Sequence, residues 1–88
     1  MPRVDAEALA DDALRVYIAA RLAEAQRVEA VLTEHGADYV VNVELFRAGL
    51  LSRPHHGAVF YVAASCADRC RELLVAAGLK RGIVTGSD

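Results

Sequence analysis

No stretch of this 88-residue chain approaches the roughly 20 consecutive apolar residues that a bilayer-spanning helix needs. The opening Met1-Pro2-Arg3-Val4-Asp5-Ala6-Glu7 also lacks the charged-then-apolar order of a secretory signal, so the expected setting is the cytoplasm, with no membrane partner. Basic residues are not in excess. With 10 Lys and Arg against 12 Asp and Glu, the formal net charge of -2 repels polyanions as a whole and disfavours nucleic-acid binding by counterion release. Cysteine is scarce, and Cys66 and Cys70 do not have the C-x-x-C spacing of redox and zinc sites. They fall with Leu73 and Leu74 on one apolar stripe, where cysteine behaves as a small hydrophobe, and a core position is expected for both. No serine or cysteine has an evident base partner, and no paired carboxylates mark a cleft. Neither an enzyme nor a cofactor is expected.

Hydrophobic residues make up 55% of the chain, too many for a segment that must stay solvated. One small domain follows, burying roughly 60–65% of the surface its unfolded chain exposes. Its charge is uneven. Residues 1–13 carry Asp5, Glu7, Asp11 and Asp12 against Arg3 alone, whereas residues 46–57 carry Arg47 and Arg53 with no acid.

The chain also says nearly the same thing twice. Tyr17-Ile18-Ala19-Ala20, followed by Ala23, Glu24 and Arg27, returns 44 positions later as Tyr61-Val62-Ala63-Ala64, followed by Ala67, Asp68 and Arg71. Each copy runs from a β-rich stretch into a helical one and stops at a glycine, Gly36 or Gly78. Two such units are too few for a solenoid. Residues 1–13 read as an appendage, with a short helix behind Asp5, and residues 14–88 as the domain. Leu14, Val16 and Ile18 alternate with Arg15, Tyr17 and Ala19, the period of a strand with one buried face. Residues 21–35 place Leu22, Ala25, Val28, Val31, Leu32 and His35 on one helical stripe and turn Glu24, Arg27 and Glu34 away. His35 sits where a donor complements the last carbonyls.

A second strand is expected over 37–46, a hairpin loop over 47–57 with two glycines and Pro54, and a third strand over 58–64. A second helix starts at Ser65, with Asp68 completing a capping-box-like pair, and Lys80 to Thr85 supplies one short edge strand. The order β-α-β-β-α-β predicts an α+β, ferredoxin-like domain: a four-stranded antiparallel sheet with two helices on one face. If Val16 and Ile18 point to the helices, Tyr17, Ala19 and Tyr61 lie on the open face. An apolar, aromatic face of that kind is expected to be an oligomer interface, giving a dimer or trimer.

The stretch from Val16 to Ala77 resembles a family of small bacterial signal-transducing domains of unknown function, similar in fold to PII (GlnB-like) regulators. Val16-Tyr17-Ile18-Ala19-Ala20, Glu24-Ala25, Val31-Leu32 before Gly36-Ala37, and Val59-Phe60-Tyr61-Val62 before Ala67 and Leu73-Leu74 carry the likeness. The resemblance implies binding or regulation without catalysis, with the loop between the second and third strands reaching for partners.

Arg47, Leu50, Leu51, Arg53, His55 and His56 in that loop are the candidate ligand- or partner-binding residues. Arg47, Arg53, His55 and His56 form the one acid-free polar cluster, in which arginine offers planar, bidentate hydrogen bonds to a carboxylate or phosphate, and the paired Leu50 and Leu51 at the tip suggest a contact. Adjacent His55 and His56 diverge on an extended loop and lack two further ligands, so no metal site is expected. The leading expectation is a self-associating regulatory module that binds a protein partner or a small anionic ligand through this hairpin. An RNA-recognition-like single-strand binder shares the element order. Its third-strand motif, however, wants aromatics where Ala58 and Ala63 stand. A purely structural oligomerisation domain is the other alternative.

Overall fold

A computed structural model describes residues 13–46 and 55–85. Five elements follow one another: β1 (Leu14–Ala19), α1 (Leu22–Glu34), β2 (Val40–Phe46), β3 (His55–Val62) and α2 (Ala64–Ala76). The three strands form one antiparallel sheet in the order β1-β3-β2. Among the described residues, the four-stranded ferredoxin-like sheet therefore does not form. In place of a fourth strand, the segment after α2 meets β1 at one bridge, between Tyr17 and Ile83. Two backbone bonds flank it, from Ile18 N to Gly82 O (2.8 Å) and from Val84 N to Val16 O (3.0 Å).

The reason lies in both partners. β1 carries a register shift between Arg15, opposite Tyr61, and Tyr17, opposite Phe60, so Val16 is an extra residue that breaks the regularity of the outer edge. The segment itself first closes a turn, with Ile83 N donating to Lys80 O at 3.3 Å, so Lys80 to Gly82 do not run extended beside β1.

The same bulge corrects the facing of β1. An inserted residue shifts the two-residue alternation by one and sends the following side chains to the other face. Tyr17 and Ala19, expected on the open side, are instead buried in the core with Val16, on the side the helices cover. β3 has no such shift, so Ala58, Phe60 and Val62 face the helices while Val59 and Tyr61 face away. The tyrosines matched in the sequence repeat thus lie on opposite faces of the sheet.

The helices match at a spacing different from that of the strands. α1 and α2 each have 13 residues, and the buried Ala25, Val28 and Leu32 of one correspond to Ala67, Cys70 and Leu74 of the other. Both stop in the same way. Gly36 (φ 70°) and Gly78 (φ 87°) adopt the left-handed conformation open to glycine. The amides that follow, of Ala37 and Leu79, donate back to Leu32 O and Leu74 O at 2.9 Å each, a pair of Schellman closures. At the start of α2 the cap residue is Ala63, without a side-chain bond, so the Ser65–Asp68 capping pair does not form. Asp68 pairs with Arg71 instead, at 3.2 Å.

Tyr17, Phe60, Leu32 and Leu74 are the largest fully buried side chains, and the Tyr39 ring leans on Phe60 with centroids 5.8 Å apart. Cys70 belongs to this core and burial pushes its thiol pKa up, whereas Cys66, expected beside it, is exposed. The appendage expected at the N-terminus lies outside the described residues, apart from Ala13. Among the described residues, no helix is long and apolar enough to cross a membrane.

Candidate functional site: a basic groove beside the first helix

β1 hands the chain to α1 through only Ala20 and Arg21. Arg21 is the cap residue, in extended conformation and with no side-chain cap bond, and the helix begins with Ala25 N donating to Arg21 O at 3.0 Å. The first-turn amides of a helix have no partner within it, and they carry the positive end of its dipole. Facing this turn is the connection from Gly78 to Gly82. Leu79, buried, anchors one end of it, and the bond from Ile18 N to Gly82 O anchors the other. Lys80 and Arg81 are held out between the anchors, both exposed.

The two segments enclose a groove of ≈ 820 Å³, within the usual size of small-ligand sites. Among the described residues, its charged lining consists of Arg21, Arg27, Lys80 and Arg81 against the single carboxylate of Glu24. That carboxylate is engaged. One oxygen accepts the Ala20 amide at 3.2 Å, and the other accepts the Tyr17 hydroxyl. Burial, reinforced by the bond to Glu24, raises the Tyr17 pKa, so the hydroxyl stays a donor at neutral pH. Arg27, which also lines the groove, donates to Ala77 O at 3.0 Å and so fastens α1 to the end of α2. In a chain of net charge -2, four cations around one cleft form a local reversal of sign suited to an anion.

The second face of the sheet carries a polar network. The Tyr61 hydroxyl donates to Glu44 at 2.6 Å, and Arg15 reaches both partners, with Nε to the Tyr61 hydroxyl at 3.2 Å and Nη2 to Glu44 at 3.4 Å. Burial, then the Glu44 bond, raises the Tyr61 pKa. Tyr61, expected at an interface, is half-buried with its hydroxyl committed to this network. Behind it, the bulge leaves the Arg15 carbonyl to be met by Nη2 of Arg71 at 2.8 Å.

Of the expected loop residues, Arg47, Leu50, Leu51 and Arg53 lie outside the described residues. His55 and His56 are not loop residues. They open β3, paired with Phe46 and Leu45, and His56 is exposed. His35 is the C-cap of α1, 3.9 Å from Glu34. Among the described residues, no three His, Cys, Asp or Glu side chains form a metal-holding group.

Sequence patterning does not single out the cations of the groove. Lys80 and Arg81 read as part of an edge strand, and Arg27 as a solvated helix position. The available signal was the Lys-Arg-Gly run two residues after a helix-stopping glycine. Its meaning depends on the Tyr17–Ile83 bridge, which brings that run to the start of α1. Compared with protein-family models, with curated proteins and with solved structures, the chain matches none.

Proposed function

We propose that this chain is a non-enzymatic regulatory binding module, of the kind its resemblance to PII-like signal-transducing domains implies, and that its ligand is a small anion held in the groove at the start of α1. The observation that carries this reading is the convergence of Arg21, Arg27, Lys80 and Arg81 on one cleft with the unpartnered end of a helix. The ligand bears phosphate or carboxylate groups, which arginine binds in fork geometry. Binding without catalysis is supported by the state of Glu24, the groove's one carboxylate. With both oxygens engaged, it is poorly placed to act as a general base. Against the RNA-binding alternative, Tyr17 is fully buried and cannot stack on a base. A cytoplasmic location accords with two free cysteines, one of them exposed.

Calorimetric titration with inorganic phosphate, pyrophosphate and citrate tests the proposal. Saturable binding is expected for at least one of them, weakened at least about tenfold in the Lys80→Ala/Arg81→Ala variant, as the loss of two charge-assisted contacts dictates. Absence of binding by all three, or binding unchanged in that variant, overturns it.

A further inference from the structure

The two edges of the sheet are guarded differently. On β1, the Val16 bulge and residues 82–84 occupy the outer edge. On β2, no strand among the described residues pairs with the outer edge. From Val41 to Leu45 that edge has no proline, no lysine and no register shift, the devices that ordinarily blunt an exposed strand.

The groups this edge presents follow from hydrogen bonding across the sheet. Ile18 N donates outward to Gly82, so Ile18 and its partner Val59 do not bond each other. Antiparallel pairs alternate between bonded and non-bonded. Val59 therefore bonds to Asn42, its partner on β2, and the residues on either side of Asn42 point their backbone groups away from β3. The outward groups belong to Val41, Val43 and Leu45. Val43 is also the midpoint of β2, and its side chain, on the helix side of the sheet opposite Ala58, is 69% exposed.

We propose that this edge pairs antiparallel with the same edge of a second copy, about a two-fold axis through Val43, joining two three-stranded sheets into one. In this register Val43 bonds Val43 of the second copy, and Val41 bonds Leu45 of the second copy in both directions. Every outward backbone group of the segment is then satisfied, and the two exposed valines cover each other. Opposite Glu44 stands Asn42 of the second copy, an amide donor facing a carboxylate. Centring the pair on Glu44 would set the two carboxylates directly opposite, a destabilising arrangement. Centring it on Asn42 would leave Leu45 without its partner Val41. The register through Val43 is the symmetric one that avoids both faults, and it does not involve the anion groove.

Light scattering after gel filtration, together with amide hydrogen exchange at low and high protein concentration, tests the pairing. A dimer is expected in which the Val41, Val43 and Leu45 amides slow at least about tenfold with rising concentration. Val40, Asn42 and Glu44 should be protected at both concentrations. Val43→Lys is expected to give a monomer with an unchanged circular dichroism spectrum, because the site is exposed and an edge lysine opposes pairing. A monomer at every concentration overturns the proposal. So does a dimer whose three outward amides exchange at the monomer rate, or one that survives Val43→Lys.

Discussion

Replacing Gly82 with alanine should detach the segment that takes the place of a fourth strand. Gly82 does not have the positive φ of Gly36 and Gly78, so its requirement is for space rather than for backbone conformation. A Cβ there would sit 2.1 Å from the Ile18 carbonyl oxygen, 2.6 Å from Cε1 of Tyr17 and 2.8 Å from its Cζ. The first of these atoms is strand backbone and the other two belong to a fully buried ring, so none can yield cheaply. The segment must move instead. Overpacking of this kind costs roughly 1–3 kcal/mol. Losing the bonds from Ile18 N to Gly82 O and from Val84 N to Val16 O adds about 0.5–1.5 kcal/mol each. A total of about 2–6 kcal/mol follows, which for a domain of this size lowers Tm by on the order of 10–50 °C. Gly36→Ala is the internal control, because its Cβ would meet nothing within 4 Å and only the φ of 70° is strained. Its cost should be about 1–2 kcal/mol. Urea denaturation of both variants with a shared slope, and exchange of the Ile18 and Val84 amides, read the difference. If Gly82→Ala costs no more than Gly36→Ala and both amides remain protected, the close-packing argument is wrong.

Both raised tyrosine pKa values make stability fall with alkali. The unfolded tyrosines ionise first, so the contribution is complete below about pH 10 and is lost as pH rises through the folded values. Tyr61→Phe should flatten that decline in denaturation curves recorded across the alkaline range, at a cost of about 1 kcal/mol at neutral pH from the bond to Glu44. An unaltered alkaline slope would count against it. Arg71→Met should destabilise by roughly 1–3 kcal/mol by chemical denaturation, because it strips the partner from the Arg15 carbonyl at the bulge. Asp68→Asn should be nearly neutral, since its side chain is 97% exposed and the pair with Arg71 is therefore worth little. Glu24→Gln should strengthen phosphate or citrate binding in the groove by removing a negative charge from its lining, and an unchanged affinity by calorimetry would place the anion elsewhere.

The elements were legible in the sequence because they rest on local signals. Helical spacing marked Ala25, Val28 and Leu32, and Gly36 and Gly78 marked both helix ends, all as found. What failed were inferences that carry a phase across an irregularity. The alternation through β1 is regular in the sequence, yet one extra residue at Val16 exchanges the faces of everything after it. No residue type announces a bulge of this kind. The cost of the bulge is met by Arg71, which reaches the Arg15 carbonyl from α2, and that contact depends on the packed structure. The repeat misled in a related way. Its spacing of 44 aligns Tyr17 with Tyr61, whereas the helices superpose Leu22 on Ala64, and the strands place Tyr17 and Phe60 on the same face.

The groove exists because the two halves stop alike and then diverge. After Gly36 the chain passes through Ala37 and Asp38 into a β-branched run that completes a strand. After Gly78 it meets Leu79, which is buried, and then two long cationic residues that burial would penalise without partners. Gly82 next fixes the backbone against β1 at one place, where no larger residue fits. A chain pinned at Leu79 and Gly82 must expose Lys80 and Arg81, and the strand it meets leads directly to the start of α1. The absence of a full fourth strand and the presence of a basic cleft are thus one structural fact. A regular ladder along β1 would alternate Lys80 and Arg81 to opposite faces of the sheet, and their charges would no longer converge on Arg21 and Arg27.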